Sequence, residues 1–185
     1  MDQFMDPGED ASKPFCLEEI SATASQSTLA QARELVLEYG RFVIAQPGMA
    51  RFCFGSLEKE AALLPFSYQE QGGGCLMAHA EGKPVGFVAW RALPFAVTSD
   101  FAAPTAWEMK RLWVRPAARC LGLGKALAQA VLDRAIAAGS KAVYLDTVPA
   151  AMAAALRVYL ELGFKPCAPY NDNSVEGLAY FVRNL

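Results

Sequence analysis

Apolar positions recur along this chain with two different periods. Leu29, Ala32, Leu35, Val36, Tyr39, Phe42 and Val43 fall three and four residues apart, which predicts a helix stopped by Pro47-Gly48. Ser56 as N-cap, with Glu58 and Glu60 in the first turn, predicts a second, shorter helix to Leu64. Gly72-Gly73-Gly74 is a break, and no helix follows it to make a phosphate loop. Period two then takes over. Cys75–Ala80 and Val85–Ala92 read as strands joined by the turn Glu81-Gly82-Lys83-Pro84, and Phe15–Ile20 reads as a short strand before the first helix. Leu93–Thr105 is a long connection, of a kind that often carries function. Trp107–Val114 is the next strand. After it come a Gly-rich turn, a helix from Gly122 to Ala138, a strand from Ala142 to Thr147, and a helix from Ala150 to Leu162. Two short strands follow, near Phe164 and at Ala179–Arg183. A meander followed by one βαβ unit predicts an α/β (α+β) fold, with a mixed sheet covered by helices on both faces.

Composition narrows the class. Of 185 residues 54% are apolar and 19% charged, enough for a packed core, so the reading is one domain over residues 14–185 behind a flexible leader, 1–13. The leader is acidic and has no apolar centre, unlike a secretory signal, and no apolar run reaches the ~18 residues that span a bilayer. The net charge of −2, with Lys and Arg scattered, argues against nucleic acid as a partner. Cys16, Cys53, Cys75, Cys120 and Cys167 are odd in number and widely spaced, which fits neither a disulfide framework nor a metal pattern. The single histidine, His79, reads as a core or edge-strand residue, so a His-based metal site or triad is not expected. These features point to the cytoplasm.

The turn after Val114 is the most informative segment. Leu123, Leu127, Val131 and Ala135 form an apolar row, with Lys125, Gln129 and Asp133 opposite, so a helix starts near Gly122 and is capped by Gly139. Amides in its first turn lack intrahelical partners and carry roughly +0.5 charge from the macrodipole. Glycines there clear room for an anion, and Arg119 and Lys125 add charge on either side. The outline is a pyrophosphate cradle. Two glycines can also serve only tight packing. A dinucleotide-binding turn is a further rival, with Asp146 roughly twenty residues on. Against it, Leu127 fills the third glycine position, seven residues separate Val114 from Gly122, and the unit follows a hairpin late in the chain.

Arg119-Cys120-Leu121-Gly122-Leu123-Gly124, preceded by Leu112-Trp113-Val114-Arg115-Pro116, resembles the strand, Arg/Gln-x-x-Gly-x-Gly/Ala and helix signature of the GNAT superfamily of acyl-CoA-dependent N-acetyltransferases. A second block, Ala153 to Phe164, is similar to the family's helix ending in Tyr-x-x-x-Gly-Phe, here Tyr159 to Phe164. The first hundred residues match in element order alone. The resemblance implies a GNAT-like, mostly antiparallel sheet of six to seven strands with about four helices. It also implies acetyl-CoA lying in a wedge between the strands that end at Val114 and near Thr147. The backbone of Leu112, Trp113 and Val114 would pair with the pantetheine arm. Arg119 and the amides of Cys120, Leu121, Gly122, Leu123, Gly124 and Lys125 would hold the pyrophosphate. An Asn that many members carry seven residues before the Tyr is Met152 here.

An amine must lose a proton before it attacks a thioester, at a cost of roughly 4–5 kcal/mol at pH 7 for a lysine-like group. Glu108 lies eleven residues before Arg119, the spacing that carries the base glutamate in the histone-acetylating branch. Alternation places Glu108, Lys110, Leu112 and Val114 on one face. Glu108 can equally pair across strands with Arg91. Asp146 is the second candidate base. Tyr159 is the candidate acid for the departing thiolate, or a core residue on a face shared with Met152 and Leu156. Cys120 would contribute its backbone, not its thiol. Phe52, Phe54, Phe66, Tyr68, Phe95, Phe101, Tyr170, Asp172 and Glu176 fall on segments that would line an acceptor groove, and each can instead be core or surface. The reading is an enzyme moving acetyl from acetyl-CoA to a primary amine of a small molecule or peptide, without metal. A non-catalytic acyl-CoA-binding module is the alternative. Edge strands leave a homodimer open.

Overall fold

The computed structural model describes residues 14–46, 54–93, 106–173 and 177–185. Its elements, in chain order, are β1 (Phe15–Glu19), α1 (Gln26–Ile44), α2 (Phe54–Ala62), α3 (Phe66–Gln69), β2 (Gly74–Ala80), β3 (Lys83–Ala92) and β4 (Ala106–Val114), then α4 (Leu123–Ala137), β5 (Ala142–Thr147), α5 (Ala153–Glu161), β6 (Lys165–Pro166) and β7 (Ala179–Asn184). The leader, Phe52, Phe95, Phe101, Glu176 and the side chain of Phe54 lie outside the described residues.

The strands form one seven-stranded sheet in the order β1-β2-β3-β4-β5-β7-β6. Every neighbouring pair is antiparallel except β4 and β5. The fold is therefore the mixed, mostly antiparallel one expected. The apolar periods explain which helix covers which face. The α1 row Leu29, Ala32, Leu35 and Val36 packs with Met77, Phe87, Ala89 and Trp113 on one side. The α4 row Leu123, Leu127, Val131 and Ala135 packs with Val88, Trp90, Met109 and Leu112 on the other. Each leucine removed from water contributes about 1.5–3 kcal/mol, so these rows hold the helices in place. Ser25 starts α1 by accepting the Thr28 amide at 3.0 Å. The glycine break before β2 has a steric cause, since a Cβ on Gly73 would stand 1.9 Å from the Trp90 carbonyl oxygen.

Four expectations need correction. Helix α2 begins at Phe54, two residues ahead of the Ser56 cap, and α3 has no period long enough to read. Helix α5 begins at Ala153 because Val148 to Met152 form a turn, closed by bonds from the Ala151 and Met152 amides to the Val148 carbonyl. His79 is neither core nor edge. It sits on β2, one strand inside the edge, with Nε2 2.8 Å from Glu18.

The fourth correction matters most. Alternation along β4 breaks at Arg111, whose φ is +59°. Phe87 pairs with Trp113 but Ala89 pairs with Lys110, so β4 carries one extra residue. This bulge flips the phase. Trp107, Met109, Leu112 and Val114 face α4, while Trp113 packs with the α1 core. Glu108 and Lys110 therefore do not share a face with Leu112 and Val114.

Candidate active site

β4 and β5 are paired at only three positions, Ala106↔Ala142, Trp107↔Val143 and Glu108↔Tyr144. Beyond Glu108, β4 stays bonded to β3 as far as Val114, and β5 stays bonded to β7 as far as Thr147. Two well-held half-sheets thus part between them. The inner edge of β4 beyond Glu108 has no β5 partner, and an extended ligand chain can supply one.

Above the parting lies the Gly-rich turn. A 3-10 turn at Pro116–Ala118 leads into Cys120 (φ +72°) and Gly122 (φ +75°), two left-handed positions that reverse the chain into α4. The first helical bond recorded there runs from the Ala126 amide to the Gly122 carbonyl, leaving the Leu123, Gly124 and Lys125 amides without partners in the preceding turn. A Cβ on Gly124 would point between Val114 and Val158, 3.9 Å from a methyl of each. Its absence keeps open the space between the end of β4 and α5. These features fit a diphosphate above and a slender arm below.

The structure brings the predicted cradle residues together, mostly through their main chains. Leu112, Trp113 and Leu123 bury their side chains in the two cores, leaving only backbone at the cleft. Leu121 and Cys120 are exposed. Arg119 donates from Nε to the Val114 carbonyl at 3.2 Å, and its guanidinium lies 5.2 and 5.5 Å from the Trp113 and Phe42 rings. Lys125 is ion-paired with Glu161 at 3.1 Å on the surface. Arg115, to which the motif gave no role, fastens the turn to α1 through Glu38 (Nη2 to Oε1 2.7 Å, Nε to Oε2 2.9 Å) and bonds the Pro84 carbonyl.

Below the cradle, the two candidate bases sit on the same face in different surroundings. Glu108 is fully buried. It accepts from Arg91 Nε at 2.6 Å, Lys110 Nζ at 3.3 Å and the Tyr170 hydroxyl at 3.1 Å. The cross-strand pair with Arg91 is therefore made. Burial pushes the Lys110 ammonium below its ordinary value, as does the Arg111 charge, while Glu108 pulls the other way. Asp146 is half-buried on β5 and accepts on Oδ2 from the side-chain amides of Asn171 (2.9 Å) and Asn173 (3.2 Å).

Tyr159 projects from α5 with 6% exposure and meets Phe164 edge-on, centroids 5.8 Å apart. Burial raises its phenol well above the usual range, helped by Tyr39 and the Asp146 charge, so it stays protonated at neutral pH. Burial likewise raises Tyr170, with Glu108 and Asp146 adding to the effect. The other groove residues divide. Tyr68 is core and donates to Glu60, Phe66 is surface at 49% exposure, and Asp172 is exposed. Sequence reasoning missed Tyr39, Glu60, Arg111 and Asn171. Arg111 and Glu60 are 51 residues apart, and no local spacing signals such a pair.

A split sheet and a helix start with bare amides are features that fit an acyl-CoA-dependent acyltransferase. Residues 45–164 match the family described as the Acetyltransferase (GNAT) family, and the chain belongs to it. It is 32% identical over 162 residues to an uncharacterized N-acetyltransferase of Schizosaccharomyces pombe, covering 87% of this chain and 91% of that one. Among solved structures it is similar in fold to an acetyltransferase from Streptococcus agalactiae (TM-score 0.68, 15% identity, 93% and 99% of the two chains). It is also similar to a protein from Salmonella typhimurium described with its cofactor acetyl-CoA (TM-score 0.66, 18% identity, 93% and 94%). The chain is an acetyl-CoA-dependent N-acetyltransferase. Among the described residues no group of three His, Cys, Asp or Glu side chains could hold a metal ion, and no helix is long and apolar enough to cross a membrane.

Proposed function

We propose that this enzyme acetylates a primary amine carried by a small molecule or peptide, by direct attack within the cleft between β4 and β5. The observation that carries this reading is the parting of the two strands just past Glu108↔Tyr144, on the strand that leads into the amide-rich turn. Acetyl-CoA supplies the activated thioester. The main chain of Leu112, Trp113 and Val114 would pair with its pantetheine arm. The amides from Cys120 to Lys125, with the charges of Arg119 and Lys125, would hold its diphosphate.

Tyr159 gives the departing sulfur its proton. Burial raises its phenol, so the hydroxyl is protonated at neutral pH but is a weaker acid than an exposed tyrosine. Its role as donor rests on its position on α5 and on the negative charge that develops on the sulfur, not on its acidity. Glu108 lies at the point where the strands part. To act as base it would have to exchange partners, since two cations and a phenol already occupy its oxygens. Held as it is, it orients Lys110 and Tyr170 on the cleft floor. We take residues 14–185 as one domain, supported by the single sheet that carries every strand among the described residues. A cytoplasmic setting is supported by Cys16, Cys75, Cys120 and Cys167, all free thiols.

The test is thiol release from acetyl-CoA against a panel of amines. Turnover with at least one amine is expected. Stabilisation by acetyl-CoA without thiol release from any amine would instead favour a non-catalytic binding module.

A further inference from the structure

Three carboxylates, Glu60, Glu108 and Asp146, are recorded close to the charged groups of β4, and two of them are matched by cations. Glu60 is gripped by Arg111, and Glu108 by Arg91 and Lys110. Asp146 is not matched. Among the described residues no Lys, Arg or His nitrogen lies within 4.0 Å of it, and its two recorded bonds are from neutral amides that converge on Oδ2. Oδ1 accepts from no described group. A half-buried carboxylate with one oxygen that no described group engages is a group that a ligand cation can complete.

Its position is as telling as its charge. In β5, Val143 and Leu145 enter the core on the α4 side, so Tyr144 and Asp146 point the other way, towards the face of Glu108 and Lys110. Asp146 stands two residues beyond the last β4–β5 pair, where the cleft has opened. Tyr180 lies directly across on β7. Tyr144, Tyr170 and Tyr180 meet edge-on in succession, with centroids 5.1 and 5.4 Å apart. The Asp146 charge is felt by Tyr39 from α1, Tyr159 from α5, Tyr170, Tyr180 and Lys110. A carboxylate that has a tyrosine as its strand partner, and whose charge reaches three more, offers an organic ammonium ion both an ion pair and aromatic faces.

We propose that Asp146 receives the acceptor's ammonium on Oδ1 and takes its first proton, which makes the acceptor a primary alkylammonium compound entering along the tyrosine-lined side of the cleft; this rests on the acetyl-transfer reading of the same cleft. The protons balance. One N–H bond of the ammonium breaks to Asp146, which passes that proton to solvent. The nitrogen then forms the amide bond as the carbon–sulfur bond breaks. Tyr159 protonates the sulfur and is refilled by the second proton leaving the nitrogen. Lys110 does not compete for Oδ1, because it is committed to Glu108 at 3.3 Å.

The experiment compares wild type, Asp146→Asn and Asp146→Glu. The ammonium acceptors are benzylamine, 1,4-diaminobutane, lysine and spermidine, and the acceptors that arrive neutral at pH 7 are 4-methylaniline and 2,2,2-trifluoroethylamine. With an accepted ammonium, Asp146→Asn should lower kcat/KM by roughly a hundredfold or more, leave the KM for acetyl-CoA unchanged, and be partly rescued by Asp146→Glu. With a neutral acceptor the loss should stay within about fivefold. Equal loss on both kinds of amine, or no loss on either, overturns the proposal while acetyl transfer stands. So does a wild type that binds acetyl-CoA yet uses only neutral amines. Failure of the wild type to bind acetyl-CoA removes the underlying reading instead, and is seen separately by thermal shift.

Discussion

The Arg111 guanidinium closes on the Glu60 carboxylate with two bonds, Nε to Oε1 at 2.9 Å and Nη2 to Oε2 at 2.8 Å, from a backbone position at φ +59°. Arginine does not favour that conformation, so something must hold it there. The pair does so, fastening α2 to the bulge of β4. The Tyr39 ring, 5.7 Å from the guanidinium, closes the same contact from α1.

Breaking this pair should be expensive. Arg111→Ala leaves the Glu60 charge largely buried and uncompensated, for a loss of about 3 kcal/mol in urea unfolding at pH 7. A loss below about 1 kcal/mol would mean that water replaces the guanidinium.

The pair also sets a pH dependence. Burial by itself would raise the Glu60 carboxyl, but the bonds and charge of Arg111 and the Tyr68 hydroxyl outweigh it, leaving it below the ordinary value. A carboxyl lowered by folding contributes stability above its unfolded pKa, about 4.3, and loses it as pH falls through the lower folded value. Stability should therefore fall on acidification below about pH 4. Glu60→Gln should be less stable at pH 7 and show a shallower acid slope. Parallel slopes for variant and wild type would contradict this.

Tyr159→Phe removes only a hydroxyl from a packed ring. We expect kcat to fall more than about tenfold, with acetyl-CoA binding little changed. Unaltered kcat would leave Tyr159 a core residue packed on Phe164.

Gly124→Val tests the cradle. The wild type should gain about 2.7 kcal/mol of stability from acetyl-CoA at a hundred times its Kd. A branched side chain between Val114 and Val158 should abolish most of that gain while changing the ligand-free Tm little. Retained stabilisation would show that the cofactor does not use this opening.

Gly73→Ala tests the break before β2. A Cβ there meets the Trp90 carbonyl, which is backbone and cannot step aside, so we expect destabilisation of about 1–3 kcal/mol or more by chemical denaturation.

What could be read from the chain was local. The i, i+4 row of Leu123, Leu127, Val131 and Ala135 located α4, because the side chains that must be buried together lie within two turns of one another. The same holds for the β2–β3 hairpin, although its turn is Glu81-Gly82 and not the four residues expected, because Lys83 already pairs with Ala80. Gly122 marked the start of α4, while its left-handed φ of +75° came only from the structure. Alternation failed within β4 for an equally physical reason. The extra residue at Arg111 is stabilised by α2 rather than by its neighbours, so nothing within the strand marks it.

Element order, the two apolar faces and the bare-amide turn follow from interactions that span two to four residues, and those are written in the chain itself. The partners of the polar groups do not follow from it. Whether Glu108 met an acceptor or Arg91 depended on the β3–β4 register, and the opening of the cleft depended on β5 staying with β7 rather than β4. Among the described residues Asp146 has no cation beside it, while Arg111 is paired with Glu60 and Lys110 with Glu108. Charges choose partners only after the sheet has brought distant segments within a few ångströms, so that choice belongs to the tertiary structure.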